Sequence, residues 1–280
     1  MTVKVVTDSS CDLPQELADE LGITIVPLTV RFGAEEFVDR LDLTAAEFWA
    51  RCDASPTLPE TAAPSPGAFE EAFRAAAADG HDGVVAILLS GGLSATLQAA
   101  QLAAEAVAGT IPVRVIDSKQ ASAAVGALAL NAARWAAADG KLDEIADAAT
   151  EEAKRTRLYA TFDTLEYLRK GGRIGRAQAF FGSMLSMKPV IELVDGVVEA
   201  ESRQRTRSRS VRHLADKVRE AGPVEHVIVL HADAPDHEDL LVMLGEFVPR
   251  ESILVTKIGA VIGTHAGPRA MGVVFQLPRS

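Results

Sequence analysis

The sequence predicts an α/β fold in two parts: an N-terminal α/β/α domain on a parallel sheet, residues 1–157, and a smaller C-terminal α+β domain with a mixed sheet, residues 158–280. Three observations carry this. Strand and helix patterns alternate in the first half at the spacing of a βαβ unit, roughly 30 residues. The run from Val84 to Leu89 is apolar at every position, as a strand covered on both faces requires. The second half holds a hairpin signature, Val190 to Val194 and Val197 to Ala200 around Asp195-Gly196, among helical patterns.

Taken in order, Val3 to Thr7 is a β-branched run that ends at the turn formers Asp8-Ser9-Ser10. A helix follows over Gln15 to Leu21, with Pro14 before it and Gly22 after it. Ile23 to Val30 reads as one strand. The proline-rich stretch from Thr57 to Gly67 reads as a loop. After the strand at Val84, the Ser-Gly-Gly-Leu-Ser turn opens an Ala-rich helix, Ala95 to Val107. Val113 to Ile116 is the next strand, and Ala123 to Ala138 the next helix. Beyond residue 157, Tyr159 to Phe162 is a strand, Thr164 to Arg169 a short helix, and Gln178 to Met187 an apolar helical stretch closed by Lys188-Pro189. Helices over Val211 to Ala221 and His237 to Phe247 alternate with strands at Val227 to His231, Ile253 to Ile258 and Gly272 to Leu277.

Composition bounds the function. A formal net charge of -11 argues against a chain-wide nucleic-acid binder. Two cysteines, Cys11 and Cys52, are too few for a disulfide scaffold or a multi-cysteine metal site, and the six histidines lack metal-ligand spacing. The N-terminus turns polar too early for a signal peptide. The longest apolar stretch, Ala121 to Ala138, is interrupted by Asn131 and Arg134. A cytoplasmic protein is expected.

Four segments offer chemistry. Ser90 to Thr96 joins a buried strand to a helix start, where unpaired N–H groups attract an anion; it reads equally as a glycine-relieved turn with Ser94 as helix cap. Thr61 lies in Pro59-Glu60-Thr61-Ala62-Ala63-Pro64-Ser65, the rim of a cleft or a rigid connector. His265 stands between Gly263 and Gly267, free to meet a ligand or to serve as a structural hydrogen-bonder. The stretch Arg169 to Arg212 holds ten basic and four acidic residues, including Lys170, Arg173 and Arg176 and the alternating Arg203, Arg205, Arg207 and Arg209. At period two those alternating arginines would share one face of an extended strand. The surplus suits an acidic partner or a solvated face.

Read as an ordered set, these segments resemble the DegV family of bacterial fatty-acid-binding proteins. The resemblance runs through Thr7-Asp8-Ser9-Ser10, the Thr61/Pro64-Ser65 loop, the Leu-Ser-Gly-Gly-Leu-Ser-Ala-Thr turn and Val115-Ile116-Asp117-Ser118. It continues over Thr164 to Ile174 and ends with Ile262 to Pro268. It implies a long-chain fatty acid in a tunnel between two α/β domains, no other cofactor, and a non-enzymatic carrier that hands the acid to an ATP-dependent fatty acid kinase. Carried over by position, the carboxylate-binding groups are Thr61, Ser94, His265 and Arg205, with no metal. Two motifs depart from the usual pattern. Thr61-Ala62-Ala63-Pro64-Ser65 replaces Thr-Ser-Gln-Pro-Ser, and Ser90 to Thr96 replaces Ser-Ser-x-Leu-Ser-Gly-Thr. The Ala-rich helix from Ala95 on one side, with Phe180, Phe181, Met184, Leu185 and Met187 on the other, is expected to line the acyl tail. Lys170, Arg173 and Arg176 are expected to dock the kinase, with transient membrane contact allowed and no nucleic acid involved. The competing reading is an α/β-hydrolase-like esterase using Ser94 and His265, which have the order Ser…Asp…His but lack the second glycine of G-x-S-x-G.

Overall fold

The computed structural model describes residues 2–55, 57–183 and 187–279. The chain opens with β1 (Val3–Asp8), a 3-10 turn Ser9–Cys11, α1 (Gln15–Glu20) and β2 (Thr24–Val26). Next come β3 (Thr29–Phe32), β4 (Glu35–Val38), α2 (Ala45–Ala54), β5 (Glu60–Ala62) and α3 (Pro66–Ala78). β6 (Gly83–Leu88), α4 (Thr96–Ala106), β7 (Val113–Asp117), α5 (Ala123–Ala137) and α6 (Leu142–Arg155) complete the first half. The second half contains β8 (Thr156–Thr161), α7 (Glu166–Lys170), a 3-10 stretch Gly175–Ser183, β9 (Lys188–Val194), β10 (Val197–Gln204) and α8 (Arg207–Glu220). It ends with β11 (Glu225–His231), α9 (His237–Leu244), a 3-10 turn Arg250–Ser252, β12 (Leu254–Lys257), α10 (Ala260–Ala266) and β13 (Met271–Gln276).

The first sheet has the order β2-β1-β6-β7 and is parallel throughout. β6 is buried at all six positions, which explains its unbroken apolar sequence. Its side chains alternate between faces. Val84, Ala86 and Leu88 pack with Phe69 and Phe73 of α3 and the alanines of α4. Val85 and Ile87 pack with α5 and α6. The second sheet, β10-β9-β8-β13-β11-β12, is antiparallel except for the β11–β12 pair. Its outer face is covered by α8 and α9. Its inner face meets Ala123, Ala124 and Ala127 of α5. That helix lies between the two sheets and is buried from Ala123 through Ala133. A helix enclosed on all sides must be apolar all round, so its sequence approaches that of a membrane span without being one. Among the described residues no helix is long and apolar enough to cross a membrane.

Several boundaries differ from expectation. Ile23 to Val30 is two short strands in two sheets, because Pro27 carries no N–H for a ladder and separates β2 from β3. The supposed loop from Thr57 contains β5, which pairs with β3, and the start of α3, with Ser65 as its cap and Pro66 at its first position. Pro189 lies inside β9 rather than after a helix. The arginine row is split: Thr206 caps α8, so Arg207 and Arg209 are helical and share no strand face with Arg203 and Arg205. Arg207 turns inward to pair with Asp236 at 2.7 Å.

Candidate functional site

The site grows from the ends of three strands. At the end of β1, the buried Asp8 carboxylate accepts a hydrogen bond from the Leu89 N–H at 2.8 Å, fixing the turn that follows β6. In that turn the Leu93 and Ser94 N–H groups both donate to the Ser90 carbonyl. Ser94 Oγ then lies 2.8 Å from Thr96 Oγ1 and accepts from the Thr96 N–H at 3.3 Å. On its other flank the turn meets the β9–β10 hairpin, whose Gly196 carbonyl accepts from Ser90 Oγ at 2.8 Å. Gly196 has φ +83, and a Cβ there would stand 2.3 Å from Ser90 Oγ; only glycine fits this contact.

Thr61 is held mid-strand in β5 by its pairing with Val30. His265 is carried on the last turn of α10, which packs on the small sheet β4-β3-β5 through Ala260 and Val261. These two residues, 204 positions apart, are joined by a 2.8 Å hydrogen bond between Thr61 Oγ1 and His265 Nε2. His265 Nδ1 is buried and has no hydrogen-bond partner among the described residues. Burial first, and then the Arg173 charge, push the imidazole pKa down to about 4, so the ring is neutral at pH 7.

Thr61, Ser94, His265, Ser122 and Arg173 are the polar residues around one cavity. The remaining walls are apolar. Leu158, Ala160, Ile191, Leu193, Val198 and Leu230 come from the inner face of the second sheet, Val261, Ile262 and Ala266 from α10, and Leu28, Leu89 and Leu93 from the first half. Such a space, lined by carbon with a few convergent polar groups, suits a long apolar molecule with one polar head.

Sequence reasoning brought together Thr61, Ser94 and His265, and the structure sets all three on this cavity. It does not bring Arg205 there: that residue is exposed in the bend between β10 and α8. Arg173 moves the other way. Expected on a docking face, it lines the cavity, with Nε donating to the Leu93 carbonyl at 3.1 Å and Nη1 to the Gly171 carbonyl at 2.5 Å. The turn after α7, with Gly172 at φ +71, folds the guanidinium inward, and no sequence pattern announces that. Lys170 and Arg176 do face outward, paired with Glu166 and Glu199. The tail expectations fare differently. The α4 alanines face Phe69 and Phe73 across the far side of the parallel sheet, so they contribute no cavity wall. Phe180 packs on the core between the sheets and lies under the Arg203 guanidinium. Met187 is half-buried outside the cavity, while Met184, Leu185 and the Phe181 side chain lie outside the described residues.

Comparison with known proteins agrees with this architecture. The family described as "Uncharacterised protein, DegV family" matches residues 2–277. The chain belongs to the DegV family. A DegV domain-containing protein of Streptomyces coelicolor is 40% identical over 276 residues, 97% of each chain. Among solved structures, the DegV family protein of Thermus thermophilus superposes with a TM-score of 0.91 at 32% identity, covering 99% of this chain and 100% of that one; its description is of fatty acid binding. DegV of Bacillus subtilis, described as a fatty acid binding protein, gives 0.86 at 29% identity, with 99% and 100% covered. The DegV fold therefore holds for this chain from one end to the other.

Proposed function

We propose that this protein is a fatty-acid carrier: it binds one long-chain fatty acid in the cavity between the two sheets and presents the carboxylate to a fatty acid kinase. The observation that carries the reading is the grouping of Thr61, Ser94, His265 and Arg173 in a cavity whose other walls are carbon apart from Ser122. Residues 1–157 and 158–280 act as the two domains that contribute those walls. Burying the acyl chain contributes about 0.8 kcal/mol per CH₂, so the tail supplies most of the affinity. The head group sets orientation. Ser94 donates a hydroxyl hydrogen bond, the neutral His265 donates its one N–H to Thr61 and so frees the Thr61 hydroxyl to donate to the carboxylate, and the Arg173 guanidinium supplies the positive charge that a carboxylate in a dry cavity needs. Arg173 takes the place first given to Arg205, while the outward Lys170 and Arg176 remain available for kinase docking. The relatives with fatty acid binding in their descriptions support the ligand class.

The esterase reading gains nothing from this geometry. Ser94 Oγ is bonded to Thr96, and His265 Nε2 to Thr61, so the base is not set beside the hydroxyl it would activate. The test is native mass spectrometry of the purified protein followed by organic extraction, with oleate titration of Thr61→Ala and Ser94→Ala. A co-purifying fatty acid and weakening by about 1–3 kcal/mol in each variant are expected. Unchanged oleate affinity in both variants, or labelling of Ser94 by a fluorophosphonate, overturns the reading.

A further inference from the structure

Asp12 does not itself line the cavity, yet it joins both walls of the site. It is 3% exposed and follows the 3-10 turn at the end of β1 with φ 50. One carboxylate oxygen accepts from Ser122 Oγ, and the other accepts from the Gly259 N–H at 2.9 Å. Its main-chain carbonyl accepts from Thr256 Oγ1. Ser122 lines the cavity from the first half of the chain and is held at φ 54 and ψ -144, a conformation unfavourable for any residue with a side chain. Gly259 caps the start of α10, the seven-residue helix that places Val261, Ile262 and His265 on the opposite wall.

We propose that Asp12 is a positioning residue for the carboxylate site, fixing the origin of α10, and with it His265, against the Ser122 turn. The role rests on the carrier reading. A helix of two turns anchored at Gly259 transmits any shift of its origin to His265 near its far end, where a displacement of under 1 Å removes a 2.8 Å hydrogen bond to Thr61. Three bonds from one residue to two segments of the second half and one of the first hold that origin at a fixed distance from Ser122. The bonds from Asp12 to Ser122 and Thr256 are buried, so solvent does not make good the loss of the link to Ser122.

The test compares Asp12→Gly, which accepts φ 50 without strain, with Asp12→Asn, which keeps an acceptor for Gly259 and offers a donor to Ser122. The readouts are the His265 imidazole signals of the unliganded full chain by NMR and its dissociation constant for oleate. Asp12→Gly is expected to shift the His265 signals and to weaken oleate binding about 5- to 30-fold, the equivalent of one or two kcal/mol. Asp12→Asn is expected to restore both. Parent-like His265 signals in a folded Asp12→Gly variant overturn the proposal. Should that variant fail to fold, Gly259→Ala decides: its Cβ would stand 3.0 Å from Asp12 Oδ1, and unmoved His265 signals there overturn the proposal equally. If the parent itself binds no oleate, the carrier reading falls, and the unliganded His265 signals still judge Asp12.

Discussion

Replacing Gly171 by alanine tests the proposed carboxylate site through a residue that bears no side chain of its own. Gly171 has φ -73 and ψ -6, a conformation open to alanine, so the backbone exacts no strain. The added Cβ is the whole perturbation. It would stand 2.3 Å from His265 Nδ1, 3.0 Å from Cε1 and 3.2 Å from the Tyr167 carbonyl. A normal contact needs about 3.5 Å, so the imidazole must retreat by about 1 Å. Its Nε2 bond to Thr61 is 2.8 Å and does not survive that movement. Overpacking of this kind costs about 1–3 kcal/mol, and the hydrogen bond about 1 kcal/mol more. Melting of the unliganded protein should fall accordingly, and calorimetric titration with oleate should show about 5- to 30-fold weaker binding. Gly172→Ala separates strain from contact in the melting experiment, because nothing lies within 4 Å of its Cβ: it strains the backbone at φ +71, in the turn that carries Arg173, without touching His265. Parent-like melting and oleate affinity in Gly171→Ala would refute the placement of His265 and the role given to it.

Two further outcomes follow from the same site. The folded-state pKa of His265 lies below its unfolded value, so the unfolded chain takes up its proton first as pH falls from about 6.5 towards 4. Stability of the unliganded protein should drop across that window by up to ~3 kcal/mol relative to His265→Gln, as followed by urea unfolding at each pH; parallel curves for the two proteins would contradict it. For Arg173, Arg173→Gln should weaken oleate binding by about 1–3 kcal/mol, because the cavity loses its cation. Full oleate affinity combined with slower acyl-phosphate formation in a reconstituted kinase assay would return Arg173 to a docking role.

The two larger sheets were legible in the sequence because burial writes itself into composition, whereas the small sheet β4-β3-β5, made of short and largely exposed or half-buried strands, was not. β6 is apolar at consecutive positions since both its faces are covered, and α5 is apolar all round since it has a sheet on each side. Helices α2 and α6 were equally legible and went unread. Thr44 and Glu47 form a capping box, and α6 carries Asp143 and Glu144 in its first turn with Lys154 and Arg155 in its last. The site is different. Nothing local in Thr61 or His265 says that they meet across 204 residues; only the ordered resemblance of short motifs to the DegV family placed them together. Arg173 and Arg205 show the limit from the other side. Both are arginines in a basic stretch, and the inward turn of one depends on the course of the backbone after α7, which charge pattern does not encode. Asp12 escaped notice because its partners, Ser122 and Gly259, lie 110 and 247 positions away.

The chain crosses from the first sheet to the second at a single point, between Arg155 and Thr156, where α6 runs into β8 with no connecting residue. That point is pinned. Thr156 Oγ1 donates back to the Glu152 carbonyl at 2.8 Å, Gln120 holds the Thr156 carbonyl at 3.2 Å, and the Leu277 N–H donates to the Arg155 carbonyl at 3.0 Å. A helix that becomes a strand without slack, tied by these three hydrogen bonds, gives the connection little freedom to act as a hinge. For a carrier this shapes the kinetics of exchange. On the proposed carrier function, ligand is expected to enter and leave by local release of a rim segment, an event whose frequency belongs to the protein and not to the solution around it. Loading is then expected to reach a ceiling rate as oleate concentration rises in a stopped-flow experiment, with different acyl chains sharing that ceiling while differing in how long they stay.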